Sequence, residues 1–163
     1  MAIVPPNIRL LLMDCDGVLT DGRLYFSEVG EAMKVFHVRD GQGLALWHKA
    51  GFRSGIITGR RSESILRIRC EELGIEFLQT LSVDKVNDLG RIMADAGVTA
   101  DETAYIGDDI GDLNVLKAVG FSAAPSDAHL SVHLVVDHVT SAPGGFGAVR
   151  EVIDLLLAAK DKA

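Results

Sequence analysis

A chain of 163 residues can fill one domain with a complete core, and 48% hydrophobic against 24% charged residues, at a mean hydropathy of +0.24, describe a globular protein. A formal net charge of −7 and a pI near 5.1 exclude the basic footprint that nucleic acid or an anionic membrane surface requires. Two cysteines are too few for a disulfide framework, Met1 to Pro6 lacks the charged and apolar regions of a signal peptide, and no run reaches membrane-spanning length, so a soluble cytoplasmic protein is expected.

In chain order, apolar runs of strand length alternate with segments of helical period. The first strand, Ile8 to Met13, runs into Asp14-Cys15-Asp16-Gly17. Arg23 to Ser27 and Ala32 to Val38, flanking Glu28-Val29-Gly30-Glu31, predict a β-hairpin. A helix over Gly43 to Ala50 leads to a strand over Arg53 to Thr58, and a helix over Ser62 to Leu73 leads to one over Glu76 to Gln79. A third helix, Val83 to Ala96, precedes the strand Thr103 to Gly107, and a fourth covers Ile110 to Val119. Weaker strands follow at Phe121 to Ala123 and Leu134 to Val136, then a last helix from Ala148 to Leu157. Gly51, Gly74, Gly97 and Gly120 each follow a helical segment, where a left-handed cap favours glycine. The pattern predicts a Rossmann-like α/β fold over residues 1–163 as a single domain. It consists of a parallel sheet with helices on both faces and a hairpin inserted after the first strand.

In such sheets ligands bind beyond the carboxyl ends of the strands, so the polar residues there are the ones that carry function. The first strand delivers Asp14 and Asp16, the second Thr58-Gly59-Arg60, the fourth Asp108-Asp109 with Asp112 following, and Lys85 opens the helix after the third. Carboxylates such as Asp14 and Asp108 suit Mg²⁺, a hard cation that completes its shell with water and phosphate. Thr58 can donate to a phosphoryl oxygen, and Lys85 adds positive charge where negative charge spreads in the transition state. Two acids one residue apart can divide labour between attack on phosphorus and movement of a proton. Together these residues point to phosphoryl transfer, with the specificity in their joint placement. Asp109 and Asp112 fit equally well as supports behind the ligating acids or as helix caps. Cys15 does not make a thiol phosphatase, because Asp21 stands where the phosphate loop would need arginine; it reads as a small buried residue. His129 and His133 have the spacing of zinc ligands on a helix, but Leu130 replaces the glutamate that such a helix carries. A signalling receiver domain is excluded by order, since its phosphorylated aspartate lies mid-chain and here the aspartates open the first strand.

Asp14-Cys15-Asp16-Gly17-Val18-Leu19-Thr20, Thr58, Lys85 and Gly107-Asp108-Asp109-Ile110-Gly111-Asp112 resemble the four motifs of the haloacid dehalogenase superfamily of aspartate-nucleophile phosphatases. The resemblance implies Asp14 as nucleophile, Asp16 as general acid and then base, and Mg²⁺ held by Asp14, the backbone carbonyl of Asp16, and Asp108. Asp16 to Gly22, Phe36 to Gly41, Thr58-Gly59-Arg60 and Gly144 to Glu151 are further similar to the branch that hydrolyses 3-deoxy-D-manno-octulosonate 8-phosphate (KDO 8-phosphate) in lipopolysaccharide precursor synthesis. That likeness implies a small sugar-acid phosphate as substrate, with Gly59 and Arg60 at the substrate. Arg60 is then either the partner of the sugar carboxylate or an ordinary loop arginine. Relatives acting on nine-carbon sialic-type sugars tend to carry an acid at the position of Arg60, and non-catalytic assembly domains lose the acids and lysine retained here. Too little chain separates the motifs to form a lid domain. The resemblance therefore implies a homotetramer in which hairpins assemble, with Leu24, Tyr25, Phe26, Val35, Phe36 and Val38 supplying the apolar interface.

Overall fold

The most apolar run of the sequence lies at the middle of the sheet. In the computed structural model, which describes residues 4–160, β1 (Leu10–Met13) is buried along its whole length. It pairs in parallel with β4 (Arg53–Ile57) on one side and β6 (Thr103–Ile106) on the other. Beyond these lie β5 (Phe77–Gln79), β7 (Phe121–Ala124) and β8 (His138–Val139), giving the parallel order β5-β4-β1-β6-β7-β8. Met1 to Ile3 of the amino-terminal segment lie outside the described residues.

Alternate β1 residues face opposite sides, so two cores form. Leu11 and Met13 pack with α1 (Val38–Lys49), α2 (Glu63–Leu73) and α6 (Ala148–Lys160) through Leu44, Trp47, Leu66, Val149 and Ile153. Leu10 and Leu12 pack on the other face with α3 (Lys85–Ala96), α4 (Leu113–Leu116) and α5 (Leu130–His133) through Leu89, Val115 and Val132. The remaining strands, β2 (Tyr25–Ser27) and β3 (Gly30–Met33), form the antiparallel hairpin directly after β1. Among the described residues no lid domain interrupts the sheet, and no helix is long and apolar enough to cross a membrane.

Several boundaries differ from the sequence reading. Helix α1 begins at Val38, with the His37 ring accepting the Arg39 N–H as its cap, and β3 ends at Met33, so the second hairpin strand stops five residues short of the expected Val38. The early start was hidden by Gly41 and Gly43, which weaken helical propensity. Their role is closeness: a Cβ at Gly43 would lie 3.2 Å from the Arg150 Cα, where α1 meets α6. Leu134 to Val136 is not a strand but the turn after α5, and the edge strand comes later, at His138–Val139. The helix expected over Ile110 to Val119 is a 3₁₀ turn, Ile110–Asp112, followed by the single turn of α4. Gly74 and Gly97 are left-handed caps as expected. Gly120 has no positive φ; a side chain there would collide with the Asp101 backbone, its Cβ 2.5 Å from the carbonyl oxygen.

Candidate active site

Register brings the motifs to one rim. Met13 is level with Ile56 of β4 and Ile106 of β6, so Asp14 emerges beside Ile57-Thr58 and Gly107-Asp108. The Asp14 N–H donates to the Ile106 carbonyl at 3.0 Å, and the Thr58 N–H to that of Gln79 at 2.9 Å, extending the ladder to the residues that matter. Lys85 enters from the first turn of α3, whose cap Asp84 accepts the Val86 and Asn87 N–H groups. Its ammonium lies 2.9 Å from Asp14 Oδ2 and 2.8 Å from Asp112 Oδ1. Thr58 is buried, and its Oγ1 accepts the Arg60 N–H at 3.2 Å while its own hydroxyl proton stays free for an incoming acceptor.

The two undecided acids separate. Asp112 is buried and holds the site together: Oδ1 accepts from Lys85 and from the Tyr105 hydroxyl, both at 2.8 Å, and Oδ2 accepts the Asp108 N–H at 3.1 Å. This backward reach curls the chain into the 3₁₀ turn. Asp109 is exposed and caps that turn through the Ile110 N–H at 2.7 Å. Tyr105, buried and hydrogen-bonded to Asp112, was not legible in the sequence, since a strand tyrosine reads as ordinary core.

Carboxylate oxygens of Asp14, Asp108 and Asp112 converge to within 4.8 Å of one another. Burial raises the Asp14 carboxyl to about 6, with Lys85 opposing the rise and Asp112 adding to it. Burial, then the neighbouring Asp14, Asp112 and Asp109, push Asp108 to about 8. Lys85 keeps its proton more firmly than a free lysine, because Asp14 and Asp112 outweigh its own burial. Asp108 Oδ1 is buried with no hydrogen-bond partner. A crowd of acids with an unpartnered oxygen is what a hard divalent cation satisfies, and the all-oxygen donor set fits Mg²⁺. Asp112 already takes two contacts on each oxygen, whereas each Asp14 oxygen takes one and Asp108 Oδ1 takes none, so Asp14 and Asp108 have the lone pairs to offer a cation.

Stability should therefore run against the usual pattern for aspartates. A folded carboxyl raised above its unfolded value binds more protons in the native state, so stability falls as pH rises through the raised value. Without metal the melting temperature is expected to drop from about pH 4, where the unfolded aspartates ionise, to about pH 8, with Asp14 and Asp108 both contributing up to about pH 6 and Asp108 alone beyond it. Mg²⁺ should flatten that slope. A metal-free melting curve independent of pH over this range would contradict the crowding.

Glycines let the loops close on these acids. Gly17 has φ +87°, and a Cβ there would lie 2.0 Å from Asp108 Oδ2. Gly144 lies so close against the Gly17 carbonyl that its own Cβ would be 1.9 Å from that oxygen. Gly144 and Gly145 thus hold the backbone of residues 17–21 in place.

A protein-family model described as haloacid dehalogenase-like hydrolase matches residues 74–153. The KDO 8-phosphate phosphatase KdsC of Haemophilus influenzae is 45% identical over 157 residues, 96% of this chain and 87% of that protein. The chain belongs to the haloacid dehalogenase-like hydrolases. KdsC of Escherichia coli K12 is 42% identical over 96% of this chain and 82% of its own. Among solved structures, the cobalt-bound Haemophilus influenzae phosphatase superposes with a TM-score of 0.93, covering 96% of this chain and 91% of that one at 45% identity. The Moraxella catarrhalis KDO 8-phosphate phosphatase, in complex with magnesium ion, phosphate ion and KDO, gives 0.91 at 36% identity over 96% and 90% of the two chains.

In this hydrolase Gly59 and Arg60 follow Thr58 beyond the carboxyl end of β4. Arg60 is directed at protein acids, its Nε 3.8 Å from Asp16 Oδ2 and a terminal nitrogen 3.7 Å from Glu31 Oε2, with its guanidinium over the Phe26 ring. A Cβ at Gly59 would make only an ordinary contact, 3.5 Å from the Ser82 carbonyl. The Cys15 thiol is buried and pushed up by that burial, then by Asp16, as suits a packing residue. His129 caps α5, while His133 meets the Pro125 carbonyl at 3.0 Å, so the pair does not form a metal site. The sequence reading missed Glu31 and Lys34: Lys34 reaches Asp16 and Glu31 holds Lys34; lysines are so rarely buried that nothing singled out this one.

Proposed function

We propose that this chain is a magnesium-dependent phosphatase that hydrolyses KDO 8-phosphate to KDO and inorganic phosphate. The observation that carries the reading is Asp14, a half-buried carboxylate at the carboxyl end of the central strand, paired with Lys85 and facing Asp108. The substrate follows from the KdsC relatives, which match over nearly the whole length of both chains. One Asp14 oxygen attacks phosphorus as the bond from phosphorus to the sugar oxygen breaks, and Asp16 gives its proton to that departing oxygen. Asp16 then takes a proton from water, which attacks the aspartyl-phosphate on Asp14 and releases phosphate. Lys85 and Thr58 face the phosphoryl oxygens, where charge spreads as the bonds exchange. Mg²⁺, held by Asp14, the Asp16 carbonyl and Asp108, neutralises charge between the anionic nucleophile and the anionic ester. Asp109 and Asp112 hold the loop behind them. Arg60, beside Gly59 at the mouth, offers its planar fork to the sugar carboxylate. Phosphate release measured over a panel of sugar phosphates tests the reading. KDO 8-phosphate should be preferred, chelation should stop the reaction and Mg²⁺ should restore it. Preference for a nine-carbon sugar phosphate would overturn the substrate assignment and leave the chemistry.

We also propose that the protein works in the cytoplasm as a homotetramer joined through its hairpins. Phe26, Val29, Val35 and Val38 are 64%, 92%, 51% and 78% exposed, an apolar surface that a lone chain leaves to water. Phe36 does not belong to that surface, since it packs on the core beneath the Arg69 guanidinium. A tetramer mass is expected by light scattering under native conditions; a monomer would refute the assembly.

A further inference from the structure

The hairpin places a buried lysine on the proton-handling acid. The Lys34 side chain is fully buried, and its ammonium donates to Asp16 Oδ1 at 2.5 Å and to Glu31 Oε1 at 2.8 Å. The other oxygen of Glu31 accepts the Ser62 hydroxyl at 2.7 Å. Ser62 stands at the amino-terminal cap of α2, where a serine hydroxyl ordinarily accepts a helix N–H. It makes no such bond here, because the hydroxyl is turned to Glu31. A chain of contacts thus runs from the start of α2 through Ser62, Glu31 and Lys34 to one oxygen of Asp16. The second oxygen, Asp16 Oδ2, is buried with no hydrogen-bond partner, and Arg60 Nε stands 3.8 Å away, beyond hydrogen-bond reach.

We infer that Lys34, anchored by Glu31, is a positioning residue for proton transfer: it pins Asp16 Oδ1 so that Oδ2 stays free and aimed at the leaving oxygen. The inference rests on the proposed role of Asp16 as general acid. Glu31 balances the charge of Lys34, so the pair fixes the carboxylate without adding net charge beside it. A carboxyl that swings between rotamers presents its proton in the productive direction only part of the time, and proton transfer depends steeply on such alignment. A two-armed anchor removes that freedom. The ion pair also ties the inner face of the hairpin to the chemistry while its outer face stays apolar.

The test separates positioning from folding through the leaving group. An alkyl ester such as KDO 8-phosphate needs its departing oxygen protonated, whereas p-nitrophenyl phosphate releases a stable phenolate that does not. The quantity to compare is kcat/KM, which reports only the steps up to departure of the alcohol and omits hydrolysis of the intermediate. Lys34→Met should lower kcat/KM for KDO 8-phosphate about 30-fold to about 10²-fold while lowering that for p-nitrophenyl phosphate less than about threefold, a split within the usual scale of general acid catalysis. The retained aryl activity certifies the fold. Glu31→Gln, which loosens the anchor but leaves the lysine, should give the same split in smaller size and serves if Lys34→Met does not fold. Equal losses on both esters, or no loss on either, in the folded variants would overturn the positioning role. Asp16→Asn run alongside should show the larger version of the split. If it does not, the assignment of Asp16 itself fails, and the inference with it.

Discussion

Asp14→Asn is expected to abolish phosphate release with KDO 8-phosphate and with p-nitrophenyl phosphate alike, while leaving the fold intact. The amide has the shape of the carboxylate, and its oxygen can still accept the Cys15 N–H that Asp14 Oδ1 accepts at 2.6 Å. It cannot form the aspartyl-phosphate, and no other carboxylate takes its place. Asp112 lies behind Lys85 and Tyr105 with its side chain 1% exposed against 15% for Asp14, and Asp108 lies one residue further along the neighbouring strand end. Stability should not fall with activity. In the metal-free protein Asp14 is a half-buried acid among acids, lifted to about 6, so neutralising it removes repulsion at higher pH. Lys85 loses one partner and keeps Asp112. A metal-free melting temperature at or above that of the parent near pH 8, with no turnover, is the expected pair of results. Turnover above background in a sample free of deamidated protein would end the nucleophile assignment, and a large loss of stability would show that Asp14 is structural.

How much of this was legible before the structure depends on what each residue owes to its neighbours in sequence. The central strands were plain because a strand covered on both faces must be apolar throughout, and Leu10 to Met13 is. Asp14, Thr58, Lys85 and Asp108 were legible because the same topology that buries the strands collects their carboxyl ends. The edge strand was misplaced because Leu134 to Val136 is apolar for a local reason: Val136 packs on a core while Leu134 is exposed. Helix α1 was cut short because Gly41 and Gly43 answer to Arg69 and Arg150, far along the chain. Lys34 and Glu31 were invisible for the same kind of reason. Three residues apart in a hairpin they form no motif, and their meaning comes from Asp16 and Ser62, which only the fold brings near.

Lys85→Met should have the second large effect, and it distinguishes a lysine that serves the reaction from one that only neutralises the acids. Methionine keeps all but the terminal atom of the side chain's length and fits a site where Lys85 is 13% exposed, so packing changes little. What disappears is the cation between Asp14 Oδ2, Asp112 Oδ1 and the Tyr105 hydroxyl. Without metal, removing one partner of a buried ion pair leaves uncompensated charge, a change that costs about 3 to 5 kcal/mol in comparable settings. The loss should be greatest near pH 8, where Asp108 ionises, and should shrink toward pH 6 as it and Asp14 take up protons. Mg²⁺ supplies positive charge to the same acids, so saturating metal is expected to recover most of the melting temperature. Activity should not recover with it. If Lys85 faces the phosphoryl oxygens in the transition state, kcat with saturating Mg²⁺ falls by about 10²-fold to about 10³-fold, the scale of one lost electrostatic stabiliser in a buried site. If Lys85 only balances Asp14 and Asp112, Mg²⁺ restores stability and rate together. Measuring melting temperature and kcat on the same samples across a Mg²⁺ titration decides between them, because the two quantities are expected to part company.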